Sequence, residues 1–425
     1  MGSGGDRWAG RLAIVLMVAL GLRLLAAVAV QGIVSRTPDR LDLIEGDAGG
    51  YWELAHRIRD GRPFELYSPP RRVMRMPGFP LLLAALQVAT FDSHLGVRCG
   101  LAMLGAVGCG LVFVLGRQLV DAEVGLWGAA GAAVSPAAAG FAPLFLSETA
   151  FGTALVGSMV TAVALVRGVA TADRKGILRV VALGFAAGLA IGVATHLRPT
   201  WLVVGPAVAL AALAFGRMSA RSWAGAAGVV AGVALLIVPW GLRNQRVCGH
   251  FVPTTLWMGA SLYDGLHPGA TGASDMRFIE TDGVLQRFSE YDADQHYRKL
   301  AWAFVRENPG RFVELTLVKL ARFFSPWPNT EQFGQWWAKA VLSAWALPVF
   351  VLAAVGGWRH RRDGLLLLAT AVPLAYFAAV HALFIGSLRY RLPAEGPLMV
   401  LAALGLRAIL HHWKSPPRVA TPIKG

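Results

Sequence analysis

The sequence predicts an all-α polytopic membrane protein: about ten transmembrane helices, with amphipathic helices and a mixed outer-face domain. Three observations carry this. Of 425 residues, 55% are hydrophobic and only 15% charged, with mean hydropathy +0.52, whereas roughly a quarter of a soluble chain is charged. The apolar residues fall in blocks of roughly twenty, the length that spans a bilayer. Finally, the basic residues sort by loop, as they do in chains that thread back and forth through a membrane.

Taken in order, the apolar segments lie at about 11–34, 98–119, 124–142, 144–166, 180–197, 199–215, 223–241, 339–357, 364–385 and 395–411. The first is too long for a secretory signal and has no small-residue cleavage site, so it is expected to stay as a span. Pro80–Phe91 is about half the spanning length and reads as a re-entrant or interfacial piece. With the N-terminus inside, the short inner loops hold fifteen basic residues, and the short outer loops hold Arg198, Arg389 and Arg391 alone. That imbalance sets the orientation: positive loops stay on the inner side. The net charge of +15 is thereby absorbed by the membrane, and no nucleic-acid partner is called for. Three cysteines (Cys99, Cys109, Cys248) form no disulfide framework and read as small apolar residues.

This divides the chain into an N-terminal membrane module (1–241), an outer-face loop domain (242–338), a C-terminal membrane module with three spans (339–411) and an inner tail (412–425). The N-terminal module has seven spans and a long first outer loop at 35–97. In that loop Asp47 precedes Tyr51, Trp52, Leu54, Ala55 and Ile58, the pattern of an N-capped amphipathic helix, which Gly61 and Pro63 then end. Ser289–Glu307 and Arg311–Phe324 read as amphipathic helices on the membrane surface, broken at Asn308-Pro309. Arg36, Arg40, Arg71 and Arg72 read as solvated loop charges.

Charge at a membrane is costly and commonly functional, so the outer-side exceptions single themselves out. They are Asp47, Arg75, Glu148 (in LFLSETAF), Arg198 (in HLRPT), Arg243 with Asn244 after Pro239-Trp240, and Arg389 with Arg391 (in SLRYRLP). Each has a bland alternative: a helix cap for Asp47, a structural partner of an arginine for Glu148, headgroup anchors for Arg389 and Arg391. His196 reads as a packed, hydrogen-bonded histidine. All of these exceptions map to one face. Pro393 disfavours helix at Leu392, so Leu388–Leu392 is expected to be extended, with Arg389 and Arg391 pointing the same way. A helix would instead turn them about 160° apart.

Several motifs in order resemble the glycosyltransferase C superfamily, in its family-39-like and aminoarabinose-transferase-like branch. They are GDAGGYWELA (Gly46–Ala55), RMPGFPLLLA (Arg75–Ala84), LSETAF (Leu146–Phe151), LRPT (Leu197–Thr200), PWGLRNQRVCGHFVPT (Pro239–Thr254), ENPGRF (Glu307–Phe312) and RYRLPAEGPLMVLAALGL (Arg389–Leu406). The resemblance covers nearly the whole chain. It implies the superfamily's membrane architecture and an enzyme of the cell envelope that moves a sugar from a polyprenyl-phosphate carrier at the outer face of the inner or plasma membrane. It places the catalytic acid at Asp47, with Tyr51, Arg75, Glu148 and Asn244 in support. The chain departs from the protein O-mannosyltransferase pattern, in which an Asp-Glu pair occupies this loop, since Ala48 follows Asp47. No cofactor is certain, and Glu45-Gly-Asp47 keeps a divalent metal open. The stretch 262–275 resembles an outer-loop pattern of the branch to which no chemical role attaches.

The chemistry these residues could support is an inverting transfer onto a hydroxyl or phosphate of a lipid, glycan or protein acceptor. Asp47 would be the base, with Arg198, Arg243, Arg389 and Arg391 holding the donor phosphate in guanidinium forks. Competing readings are a polytopic transporter or lipid-linked-sugar flippase, and a carrier-dependent glycan ligase. A transporter would show repeated halves and mid-membrane broken helices.

Overall fold

A computed structural model describes residues 3–37, 40–44, 46–170, 176–329 and 335–414. Among them the protein is helical throughout, with one isolated bridge, Leu66 to Arg71, in place of any sheet.

The helices run in order from α1 (Ser3–Val34) through α2 (Asp47–Arg59), α3 (Gly78–Ala89), α4 (His94–Leu119), α5 (Ala122–Val134), α6 (Pro136–Phe141), α7 (Glu148–Ala170) and α8 (Ile177–Leu197). A 3₁₀ turn at Pro199–Val203 leads into α9 (Val204–Phe215), and α10 (Ala220–Cys248) completes the first membrane module. The segment that follows holds α11 (Met258–Gly265), two single turns α12 (Phe278–Thr281) and α13 (Val284–Arg287), then α14 (Glu290–Glu307) and α15 (Pro309–Phe324). The chain ends with α16 (Trp336–Arg359), α17 (Gly364–Thr370), α18 (Val372–Leu383) and α19 (Leu388–Lys414). Of the expected inner tail, 412–414 extend this last helix and 415–425 lie outside the described residues.

The ten expected spans resolve into three kinds of element. Among the described residues seven helices are long and apolar enough to cross a membrane: α1, α4, α7, α8, α10, α16 and α19. An eighth is the α17–α18 pair, bent by 47°. The segments expected at 124–142 and 199–215 are shorter or broken. Ser135 leaves the helix with extended φ/ψ and accepts from Ala138 N (3.3 Å), capping α6 behind Pro136. Pro199 opens a 3₁₀ turn after the extended Arg198. Pro80–Ala89 of the expected Pro80–Phe91 piece belongs to the twelve-residue α3, roughly 18 Å long at 1.5 Å per residue and too short to span.

Close packing of the spans rests on small residues. Along α8, Gly184 and Gly188 bring the backbone against Gly225, Val229 and Gly232 of α10, where an added Cβ would run into carbonyl oxygen. Gly356 and Gly405 do the same for α16 and α19. Such approach is what lets helices associate in lipid, where burial of apolar surface supplies little drive.

The segment from α11 to α15 matters because it pins the loop before α3. Glu290, at the head of α14, accepts from Arg72 N (2.8 Å) and Val73 N (2.9 Å). Leu256 N donates to Val73 O at 2.9 Å. Arg71 is buried and donates to Leu285 O, so it is a strut and not the solvated charge expected. α14 and α15 appear where expected, with Ser289 capping α14 (3.1 Å from Asp292 N) and Pro309 opening α15. α15 leaves Val313, Leu317 and Phe324 exposed on one side.

Candidate active site

Four element ends meet on one side of the helix bundle, and each contributes a charge. Asp47 is the first residue of α2. That helix buries Ala48, Trp52 and Ala55, at the i, i+4, i+7 spacing of one face, and stops at Asp60 before the left-handed Gly61 (φ +66°). Asp47 is not its cap: the N-cap is Gly46, with no side-chain capping bond, and both Asp47 oxygens are engaged elsewhere. Glu148 is the first residue of α7. Both carboxylates therefore sit at helix N-termini, where the backbone dipole favours negative charge. Arg198 is the C-cap of α8, where it favours positive charge. Arg389 lies at the head of α19, and Arg75 in the pinned loop before α3.

These five side chains form one ion-pair chain. Arg75 Nη2 donates to Asp47 Oδ1 at 2.5 Å, and Arg389 Nη2 lies 3.0 Å from Asp47 Oδ2. Arg389 Nε also donates to Glu148 Oε1, which Arg198 Nη2 shares at 2.5 Å. Arg389 thus bridges the two carboxylates. Burial works to raise the Asp47 pKa, but the Arg75 and Arg389 charges outweigh it and hold the carboxyl well below its usual range. Asp47 keeps 30% of its side chain exposed, whereas Glu148 keeps 2%. Only the first can meet a partner arriving from the aqueous side. Glu148 Oε2 has no hydrogen-bond partner.

Aromatic rings set the arginines. The Arg75 guanidinium lies 5.0 Å over Tyr51, itself edge-on to Phe79. Arg198 lies 5.6 Å over Phe151 and 5.3 Å over Tyr390, and Tyr390 stacks on His381 at 4.2 Å. Trp52 stacks on Phe145 at 4.6 Å, tying α2 to the approach to Glu148. Beneath that approach the wholly buried pair Asp42–Arg98 (3.3 Å) fixes the chain: Asp42 Oδ2 accepts from Phe145 N at 2.5 Å, and Arg98 covers the Phe145 ring at 4.1 Å.

The remaining expected residues are placed apart from the chain of ion pairs. Leu388–Leu392 is helical and not extended, so Arg391 faces away from Arg389. It donates to Glu395 (2.7 Å) and to the carbonyls of Phe323 and Ser325 (2.8 Å each), all buried. Arg243 donates to Arg72 O at 2.6 Å and lies 4.8 Å over Trp240. Asn244 is buried and donates to Val252 O (2.8 Å) and Thr254 O (3.3 Å), anchoring the chain that leaves α10. His196 bonds Leu236 O at 3.0 Å. In the 262–275 stretch, Asp264 is buried and accepts from Ser274 Oγ and Asp275 N, both at 2.7 Å, an internal tie for the loop.

Among the described residues no three His, Cys, Asp or Glu side chains gather as metal ligands. Glu45 lies outside the described residues. A cation at Asp47 would have to displace a guanidinium from one of its two oxygens.

Asp42, Arg98, Arg23 and Lys319 are among the buried charges that had no place among the expected site residues. Their signal in sequence is a charge inside or at the lip of an apolar run (Arg23 in GLRLL, Arg98 in GVRCG) and one on the apolar side of α15.

No family model matches the chain, and no curated protein matches it. Solved structures do. The oligosaccharyltransferase AglB from Archaeoglobus fulgidus, in complex with an inhibitory peptide and a dolichol-phosphate, superimposes over 100% of this chain and 53% of its own, with TM-score 0.57 and 15% identity. The apo form of the oligosaccharyltransferase from the same organism covers 96% of this chain and 51% of its own, with TM-score 0.60 and 15% identity. The chain thus spans about half the length of these oligosaccharyltransferases. ArnT from Cupriavidus metallidurans aligns over 96% of this chain and 79% of its own at 16% identity, but the superposition is loose, with TM-score 0.42. The chain shares the fold of the matched half of these oligosaccharyltransferases.

Proposed function

We propose that the protein is an inverting glycosyltransferase, moving a sugar from a polyprenyl monophosphate carrier to an acceptor hydroxyl or phosphate at the outer face of the membrane. The observation that carries this is the bridging of Asp47 and Glu148 by Arg389. Two carboxylates face three guanidiniums, which leaves one positive charge uncompensated. A sugar linked to a lipid monophosphate is a phosphodiester with a single negative charge. Its phosphate would complete the balance, and the dolichol-phosphate bound by the AglB neighbour is a lipid monophosphate, the leaving group such a donor would release.

The arrangement supports a sequence of events. In the free protein Asp47 is ionised but a weak base, because two arginines stabilise its charge. A donor phosphate reaching the cluster competes for Arg389 and Arg198, whose forks match phosphate oxygens. Asp47 loses a cation partner and gains basicity as the donor arrives. The acceptor then attacks the anomeric carbon opposite the carrier. Asp47 takes its proton, the C–O bond to the phosphate breaks, and the arginines hold the charge that develops there. One displacement inverts the anomeric centre. The acceptor, whether lipid, glycan or protein, enters from the exposed side of Asp47.

The test is transfer from a labelled polyprenyl-phosphate sugar to envelope lipids by the purified protein in lipid vesicles. Labelled product is expected, lost on Asp47→Asn. Exchange of the donor across the vesicle membrane with no product would instead mark a flippase and overturn the proposal.

A further inference from the structure

A small cavity lies within the membrane module behind Glu148, walled by α1, α4, α5, α6, α7 and α19. Its volume is about 80 Å³, and roughly 10–15 Å³ holds one water molecule, so several fit. Its walls carry glycines from three helices (Gly105 and Gly108 of α4, Gly152 of α7, Gly396 of α19), at each of which an added Cβ would press on a neighbouring residue.

Two charged residues on the wall are incompletely satisfied. Arg23, on α1, is 2% exposed and stands eleven residues below the outer end of a membrane span. It donates only to the carbonyls of Ala19, Ala133 and Ala132, at 3.0 Å each, and its Nε has no partner. Among the described residues no carboxylate pairs with it directly. Arg23 Nε lies beside Gly105, a residue of the cavity wall, since a Cβ there would come within 3.0 Å of it. The second is Glu148, with Oε1 shared by two arginines and Oε2 unpartnered. Glu395 also lines the cavity but is already paired with Arg391. A buried guanidinium nitrogen and a buried carboxylate oxygen without partners are costly in a dry space, and a space of this size beside them has room for water that would satisfy both.

We propose that this cavity is hydrated and that Arg23 is a positioning residue for the phosphate site, acting through Glu148. The inference rests on the reading that the arginine cluster receives a carrier phosphate. In the free protein Glu148 neutralises Arg198 and Arg389. When phosphate takes those arginines, Glu148 is left as a buried charge and needs another cation. Arg23, across the water, is that cation. With Arg23 absent, Glu148 grips Arg198 and Arg389 more tightly and competes harder with the incoming phosphate.

The experiment is a double-mutant cycle on binding of a polyprenyl monophosphate to the full-length protein in detergent, read from the shift of its unfolding midpoint with ligand concentration. Arg23→Met is expected to weaken binding about tenfold, and less than about twofold in the Glu148→Gln background, because contacting residues are non-additive and independent ones add. Arg23→Lys keeps the charge and is expected to bind within about threefold of wild type. If Arg23→Met does not fold, as its unliganded midpoint reports, the cycle is run with Arg23→Gln. Equal losses in both backgrounds, or a Lys variant no better than Met, would make Arg23 a structural residue and overturn the proposal. Failure of the wild type to bind the phosphate would overturn the functional reading itself, a different outcome from wild-type binding with additive losses.

Discussion

Arg389 and Arg391 stand two residues apart at the head of α19 and face in different directions. Arg389 joins Asp47 and Glu148, while Arg391 is buried against Glu395, Phe323 O and Ser325 O. Two helical steps turn a side chain through about 200°, so one cannot follow the other. Their substitutions should therefore separate. Arg389→Lys keeps the charge but loses the planar fork that reaches both carboxylates at once and matches phosphate oxygens. It is expected to lower turnover efficiency at least tenfold, about 1.4 kcal/mol, with little change in unfolding temperature. Arg391→Met leaves Glu395 buried without its cation and should cost on the order of 3 kcal/mol of stability, with the folded fraction keeping near-normal KM. Melting curves and kinetics of the two variants check this. The reverse pattern would return the phosphate role to Arg391.

Asp47 gives the sharpest test of chemistry against architecture. It caps nothing, so Asp47→Asn leaves α2 in place while removing the proton acceptor. Transfer is expected to fall by about 10²–10⁴-fold, the usual worth of a general base. The carboxyl also has a stability signature. Its pKa is lowered on folding, so its contribution is present above the unfolded value of about 3.9 and is lost as pH falls through the folded value. Acid unfolding of the wild type below about pH 4 should accordingly contain a component that Asp47→Asn lacks. An Asn variant with normal turnover would leave Asp47 as a structural anion.

The members of the ion-pair chain were legible in the sequence because each breaks a rule about where charge belongs. Asp47, Arg75, Glu148, Arg198 and Arg389 all interrupt or border apolar sequence on one face, and that cost is visible without coordinates. Their pairing was not legible. Pro393 argues for an extended Leu388–Leu392, yet the helix forms, and proline in the second turn removes only one backbone donor. Once helix wins, Arg391 belongs to the packing of α15 against α19. Arg243 shows the same limit, since its partners, Arg72 O and Trp240, lie 171 and 3 positions away in the chain. The count of long apolar helices among the described residues comes out at seven or eight for a local reason. Ser135-Pro136 breaks the helix within a segment whose hydropathy is uninterrupted, and Pro199 opens the 199–215 segment with a 3₁₀ turn that shortens its helix.

The sorting of fifteen basic residues against three predicts which side the ion-pair chain faces. With the three native cysteines replaced, single cysteines at Arg361 and Arg277 should fall on opposite sides. An impermeant thiol reagent applied to intact cells should label Arg277→Cys, whose native side chain is 85% exposed, and spare Arg361→Cys. Labelling of both, or of Arg361→Cys alone, would take the cluster off the outer face.

Lys319 supplies a pH test that involves none of the proposed catalytic groups. It is fully buried in α15, and its Nζ donates to Leu383 O at 2.7 Å. Burial pulls its pKa down to about 8, with the Asp264 charge opposing the shift. A lysine whose pKa falls on folding holds fewer protons folded than unfolded between the two values, so its contribution to stability rises with pH across that window. Here the window runs from about 8 to the ordinary lysine value of about 10.4. The full rise is at most on the order of 3 kcal/mol, at 1.36 kcal/mol per pKa unit. The tyrosines oppose it: Tyr263 and Tyr297 have raised pKa values, chiefly through burial, and lose stability as pH climbs. Comparison with Lys319→Met cancels their contribution. The difference in unfolding temperature between wild type and Lys319→Met should move in favour of the wild type from pH 7.5 to 9.5. A difference that stays flat over that range would mean that Lys319 keeps its proton and that Asp264 compensates its burial.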